Sequence, residues 1–137
     1  MHRCYAFVIA LCMSLAAQEP GLENLRKEGH WKQIRTRIEG WYQSKPQDPY
    51  ALLWMSRVKQ GFGDLEAALD MARKAAALKP DDPDIQAQLA SAAGQSASRA
   101  DGKLKQFSLA REMKKAGERA LELKPDQEQA VGMMLGF

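Results

Sequence analysis

The chain has 137 residues, of which 45% are hydrophobic and 27% are charged. These proportions exclude a disordered chain, and the length is that of one small domain. The net charge of +3 is too small for a dedicated nucleic-acid-binding surface, so we expect no nucleic-acid partner.

Residues 1–17 have the features of a secretory signal peptide. A short basic start, His2 and Arg3, precedes an uncharged apolar run that ends at Leu15. This run of about 12 residues is too short to cross a bilayer, which needs about 20. Small residues follow it and favour cleavage after Ala17. We therefore expect an exported protein, periplasmic or secreted, with a buried N-terminal helix as the alternative.

Both cysteines of the chain, Cys4 and Cys12, lie within this leader. Its removal leaves residues 18–137 without a disulfide, a thiolate metal site or a cysteine nucleophile. A lipoprotein signal has a small residue before its cysteine, whereas Leu11 precedes Cys12. The sequence therefore favours cleavage over attachment of a lipid at Cys12.

A proline-containing turn recurs along the rest of the chain. Residues 45–49 have the sequence KPQDP, and residues 79–83, 34 positions later, have the sequence KPDDP. A third copy starts at Lys124, 11 residues later than the same period predicts. The first proline ends a helix because it lacks an N–H. The aspartate can cap the next helix, and the second proline fits its first position.

Between these turns, apolar residues recur at spacings of three and four, which predicts amphipathic helices and no sheet. We expect helical hairpins over about 20–45, 49–79 and 83–124, followed by a terminal helix over 128–137. A second kind of break, at Gly61–Asp64, separates the two helices of the middle hairpin. All of these elements belong to one domain over residues 18–137.

The third hairpin contains the 11 additional residues. At 3.6 residues per turn they lengthen each of its helices by about a turn and a half, with the break between them at Asp101–Gly102. A flexible loop over 94–103 is the alternative. The second helix carries one apolar stripe, formed by Leu104, Phe107, Ala110, Met113, Ala116, Ala120 and Leu123.

A 34-residue helix–turn–helix unit resembles the tetratricopeptide repeat (TPR). The family's Gly, aromatic, Ala and Ala positions fall on Gly63, Leu65, Ala68 and Ala75. In the preceding copy they fall on Gly29, Trp31, Ile34 and Trp41, of which the last two are larger than the family prefers. The resemblance covers residues 20–137 and implies an exported bacterial TPR protein. Its fold would be all-α, with TPR-like hairpins stacked in a short right-handed superhelix.

The resemblance also implies a concave face, lined by the first helix of each repeat, that binds peptides or partner helices. On the middle repeat the matching positions are Tyr50, Leu53, Trp54 and Arg57, and the next repeat offers Gln88, with Asp84, Ala87 and Ser91 beside it. The register over 50–60 is fixed only to within one or two residues. For Trp54 the alternative is packing against a neighbouring helix, whereas the spacing of Trp31 and Trp41 predicts core residues.

No pattern in the sequence indicates an enzyme, a cofactor or a metal site. His30 is the only histidine after the leader, and one histidine without cysteine does not make a zinc site. We expect His30 to cap a turn. No serine has a histidine partner suited to a triad, and no phosphate-binding glycine loop is present.

The basic residues between Arg99 and Lys124 predict a solvated helix face, with attraction to an anionic membrane surface or an acidic partner as the alternative. The expected function is a scaffold that binds a protein or peptide on its concave face. The alternative is an assembly subunit that forms a homodimer or docks through its apolar C-terminal edge, residues 131–137.

Overall fold

The computed structural model of the chain describes residues 20–136, which form seven α-helices and contain no strand. The helices are α1 (Pro20–Lys27), α2 (Trp31–Ser44), α3 (Pro49–Gly61), α4 (Leu65–Leu78), α5 (Pro83–Arg99), α6 (Lys103–Leu123) and α7 (Glu128–Leu135). The predicted all-α class is confirmed. The predicted signal peptide, with Cys4 and Cys12, lies outside the described residues, as does Phe137.

The helix starts predicted from the proline turns are present. Asp48 and Asp82 are the N-cap residues of α3 and α5, and a carboxylate oxygen of each accepts two backbone N–H groups at 2.8–3.2 Å. Each cap of this kind contributes about 1 kcal/mol to stability. Pro49 and Pro83 follow at the first helical position, where a missing N–H removes no helical hydrogen bond.

His30 precedes α2, but its side chain makes no hydrogen bond to the backbone of that helix. Its Nε2 instead lies 3.3 Å from the carboxylate of Glu28. The prediction that the His30 side chain caps a turn is therefore wrong, because the ring reaches a carboxylate on the preceding side.

The third hairpin has the two long helices that the sequence predicts. α5 and α6 have 17 and 21 residues, against 13 and 14 in α3 and α4. The extra residues are divided as four and seven rather than equally. The connection between the helices is limited to residues 100–102, where Gly102 has a φ of +92°.

Helix α5 lies at the centre of the packing and contacts α3, α4, α6 and α7. Its buried positions are mostly small, with Ala87, Ala90, Ala92 and Ala93 fully enclosed. Helix α3 is also surrounded, by α2, α4 and α5, so that every residue from Ala51 to Val58 is buried. Helix α5 also lies between α3 and α7 and contacts both, so these alternate helices of the chain lie on one side.

The predicted apolar stripe of α6 is wrong at its N-terminal end. Leu104 and Phe107 are 89% and 64% exposed, and Leu109 is the first buried residue of the helix. The buried stripe continues from there through Met113 and Ala116. The physical reason is the unequal lengthening of the hairpin, because α6 is seven residues longer than α4 and its first six residues precede the first buried position.

The C-terminal helix α7 packs back onto the third hairpin through its methionines. Met133 lies against the apolar cluster of α5 and α6, and the sulfur of Met134 faces Gly117 of α6. Leu135 is 82% exposed. Among residues 131–136, the apolar edge predicted from the sequence is therefore reduced to a single strongly exposed side chain.

The tryptophans predicted to be core residues, Trp31 and Trp41, are only half-buried and pack against the cluster formed by α1, α2 and α3. The Trp31 ring lies against the end of α3. A Cβ added to Gly61 would lie 2.4 Å from Cδ2 of Trp31, closer than van der Waals contact allows. Glycine at position 61 therefore permits α2 and α3 to approach each other here.

We predict that Gly61→Ala lowers the free energy of unfolding by about 1–3 kcal/mol, as overpacking does elsewhere. The matched control is Gly40→Ala in α2, where an added Cβ meets nothing within 4 Å. That substitution should raise stability by roughly 0.5–1 kcal/mol, because alanine is the better helix former. Urea unfolding followed by circular dichroism measures both. Equal changes in the two variants would contradict the close Trp31–Gly61 contact.

Candidate functional site

A polar pocket of about 260 Å³ opens where alternate helices of the chain come together. We call it the amide pocket, because glutamines are its most frequent lining residues. It is lined by Arg26 of α1, Trp31 of α2, Arg57, Gln60 and Gly61 of α3, Gln88, Ser91 and Gln95 of α5, and Gln129 of α7. Five separate helices therefore contribute to one surface.

Buried amide hydrogen bonds hold the floor of the amide pocket. Gln88 is only 1% exposed, and its Nε2 donates to Ser56 Oγ at 3.0 Å and to Gln60 Oε1 at 2.7 Å. Gln60 Nε2 in turn donates to Ser91 Oγ at 2.8 Å. Gln129 Nε2 reaches Gln88 Oε1 at 3.4 Å. These bonds connect α3, α5 and α7 through polar side chains, in addition to the apolar clusters that α5 shares with each of the other two helices.

Arg57 places a positive charge at one end of the amide pocket. The residue is 9% exposed, and its guanidinium lies over the Trp54 ring, 4.7 Å from the ring centre. Its Nη1 is 3.6 Å from a carboxylate oxygen of Glu23, whereas its Nε has no hydrogen-bond partner within residues 20–136. Burial lowers the pKa of Arg57 and the charge of Glu23 opposes that shift. Arginine nevertheless stays cationic in proteins.

Glu23 is shared between two arginines. Arg26 Nε donates to Glu23 Oε1 at 2.8 Å, and Arg57 approaches the other carboxylate oxygen. Burial raises the pKa of Glu23, but the hydrogen bond from Arg26 and the charge of Arg57 outweigh burial and leave the pKa lowered. Two cations therefore lie within ion-pair distance of one ionised carboxylate, and the more distant charges of Asp84 and Asp82 also stabilise the cationic form of Arg57.

The structure brings only part of the predicted contact set to the amide pocket. Arg57 and Gln88 line it, as does Ser91. Leu53 and Trp54 are buried in the core, so they offer no surface to a partner. The burial of Trp54 agrees with the alternative interpretation, packing against neighbouring helices.

Tyr50, the second residue of α3, contacts the turn that precedes α5 and does not line the amide pocket. Its hydroxyl donates to Asp82 at 2.8 Å and accepts from Lys79 Nζ at 2.6 Å. Burial and the hydrogen bond to Asp82 raise the pKa of Tyr50. The two other neighbours proposed from the sequence are also structural, since Ala87 is enclosed and Asp84 accepts a hydrogen bond from Gln127.

Sequence reasoning missed the pocket residues Gln60, Gln95, Gln129 and Arg26. Helical spacing could have predicted the first two. Gln60 follows Arg57 by three residues and therefore lies on the same face of α3. Gln95 follows Gln88 by seven residues and lies on the same face of α5. Gln129 and Arg26 come from the two terminal helices, whose register no full repeat defines.

A second pocket, of about 530 Å³, is lined by Pro80 and by residues of α5 and α6. The part of the chain that the structure describes has no cluster of three or more His, Cys, Asp or Glu that could hold a metal ion. None of its helices is both long and apolar enough to cross a membrane. Comparisons with protein-family models, curated proteins and solved structures find no match to the chain.

We predict that Gln88→Leu lowers the free energy of unfolding by about 1–3 kcal/mol, because it leaves buried polar partners on α3 and α7 without their hydrogen bonds. Gln95→Leu is the matched control, since Gln95 is an exposed amide of the same helix. It should change stability by less than about 0.5 kcal/mol. A Gln88→Leu variant as stable as the parent in differential scanning calorimetry would show that the amide hydrogen bonds contribute nothing net.

Proposed function

We propose that this chain is a TPR-like scaffold that binds a protein or peptide in the amide pocket and along the adjoining faces of α1, α3, α5 and α7. The observation that carries the proposal is the buried Arg57 guanidinium, which has an unsatisfied Nε among residues 20–136 and lines an open polar pocket. In the same proposal the hairpins stack in a short right-handed superhelix.

The chemistry of the lining supports a peptide as the ligand. A glutamine amide has both donors and an acceptor, as has each peptide unit of an extended chain, and the Gln95 amide lies outside the hydrogen bonds that join Gln88, Gln60 and Gln129. The half-buried Trp31 ring adds one apolar wall.

The charges of the amide pocket favour an acidic side chain within that peptide. Arg26 and Arg57 together have only Glu23 as an ion-pair partner within residues 20–136. A carboxylate of the ligand would pair with the second arginine, and hydrogen bonds between charged groups are about twice as strong as neutral ones. The signal peptide predicted from the sequence makes an envelope or extracellular protein the natural source of this segment.

We propose binding rather than catalysis. The side chains that line the amide pocket are Gln, Ser, Arg and Trp, none of which has an ordinary pKa near neutrality. A general acid or base works best with a pKa near the operating pH. The lining therefore suits recognition by hydrogen bonds and charge.

The alternative function, assembly through the C-terminal edge, rests on the exposure of Leu135. One such side chain contributes about 1.5–3 kcal/mol when it is buried. A stable protein interface buries about 1,200–2,000 Å² in total, which a single leucine does not supply. The amide pocket is therefore the better-supported binding surface.

The test is selection of peptides from a random display library against the full chain. We expect the selected peptides to be enriched in Asp and Glu and to bind with micromolar or better affinity in fluorescence anisotropy. Gln95→Trp should weaken them by at least about tenfold, because the added ring occupies the pocket; a tenfold loss corresponds to about 1.4 kcal/mol.

Ser98→Trp is the matched control, since Ser98 is an exposed residue of α5 that lies outside the lining of the amide pocket. Peptides bound equally well by the two tryptophan variants would place binding elsewhere on the chain. Selection that yields no peptide above background would overturn the proposed function.

A further inference from the structure

The end of the third hairpin exposes apolar side chains that the amide pocket does not explain. We call residues 99–111 the hairpin tip. Every residue from Asp101 to Ser108 is exposed, including Leu104 and Phe107. Leu104 and Phe107 are three positions apart on α6 and therefore lie on one face of the helix.

The hairpin tip is a folded element and not a frayed end. Gln106 Nε2 donates to the backbone carbonyl of Ala100 at 2.8 Å, which ties the start of α6 to the end of α5. Gly102 turns the chain with a φ of +92°. Ala97 and Ala100 pack against the apolar cluster that contains Leu109. The exposed pair is thus presented at fixed positions by a lengthened hairpin.

Positive charge surrounds this apolar pair. The hairpin tip carries four basic residues and one acidic residue, Asp101; the basic residues are Arg99, Lys103, Lys105 and Arg111. No carboxylate of residues 20–136 lies within ion-pair distance of these four cations. The Arg111 guanidinium lies 5.9 Å from the centre of the Phe107 ring, so charge and apolar surface adjoin.

We propose that the hairpin tip docks on an anionic lipid surface. Leu104 and Phe107 enter the boundary between headgroups and acyl chains, and the four cations lie at the level of the lipid phosphates. An amphipathic helix that combines apolar and basic side chains binds a membrane surface in this way.

The size and charge of the hairpin tip favour lipid over a protein as its partner. Two apolar side chains present less area than a stable protein interface requires. A bilayer needs no complementary shape, because its headgroups rearrange around the inserted side chains. Each Lys or Arg near an anionic surface strengthens binding by about fivefold, so the four cations of the hairpin tip add substantially to a small apolar contact.

The test is hydrogen exchange of the full chain, followed by mass spectrometry, with vesicles of phosphatidylcholine and phosphatidylglycerol or of phosphatidylcholine alone. We expect slower exchange in peptides that cover residues 99–111 with the mixed vesicles only. Peptides that cover residues 65–78, in α4, should not change. This local measurement separates the hairpin tip from any binding by the apolar residues 4–15.

Two variants and one control decide the mechanism. Leu104→Ser with Phe107→Ser should abolish the local protection, whereas Leu135→Ser, at an equally exposed leucine, should leave it intact. The double variant Lys103→Gln with Lys105→Gln should need about 25-fold more lipid for the same protection, because each lysine contributes about fivefold.

Equal protection by both kinds of vesicle, or none by either, would overturn the proposal. Protection that survives loss of Leu104 and Phe107 but needs Lys103 and Lys105 would also overturn it, because it would show electrostatic adsorption without insertion of the apolar pair. Because none of these residues lines the amide pocket, failure here leaves the proposed peptide binding untouched.

Discussion

The close packing of α5 is the constraint on which the rest of the structure depends. This helix contacts four others, and small side chains let it do so, since Ala87, Ala90, Ala92 and Ala93 are fully enclosed. Each alanine buries little apolar area, so α5 contributes less hydrophobic stabilisation per residue than a leucine-rich helix would. Stability at the centre therefore has to come from dense contact between helices and from capped ends such as Asp82.

The same helix explains why a polar pocket can exist beside the core. On its other face α5 presents Gln88 and Ser91, which form hydrogen bonds with Ser56 and Gln60 of α3. Buried amides are costly unless they are paired, and here their partners come from separate segments. The network therefore requires the helices to keep their positions. That requirement gives the proposed binding surface a rigid floor, with Arg57 at one end.

Turn chemistry made most of the helix boundaries predictable, because Asp48, Pro49 and their counterparts determine where helices begin. The candidate site was less predictable. Helical spacing cannot tell whether Trp54 lies on an open face or beneath another helix, and in the structure it is buried in the apolar cluster that also contains Leu22 and Ile34. The exposure of Phe107 was likewise hidden, since it depends on how 11 residues divide between two helices. Such outcomes depend on neighbours that a periodic pattern does not specify.

The central claim is that α5 is a fully folded helix at the centre of the domain despite its small side chains. Native-state hydrogen exchange of the backbone amides tests it most directly. We expect amides of residues 87–93 to exchange as slowly as those of residues 51–58 in the buried α3, by global unfolding only. Fast exchange throughout residues 88–100 would contradict the account, because it would make the third hairpin a loosely held segment with no rigid floor for binding.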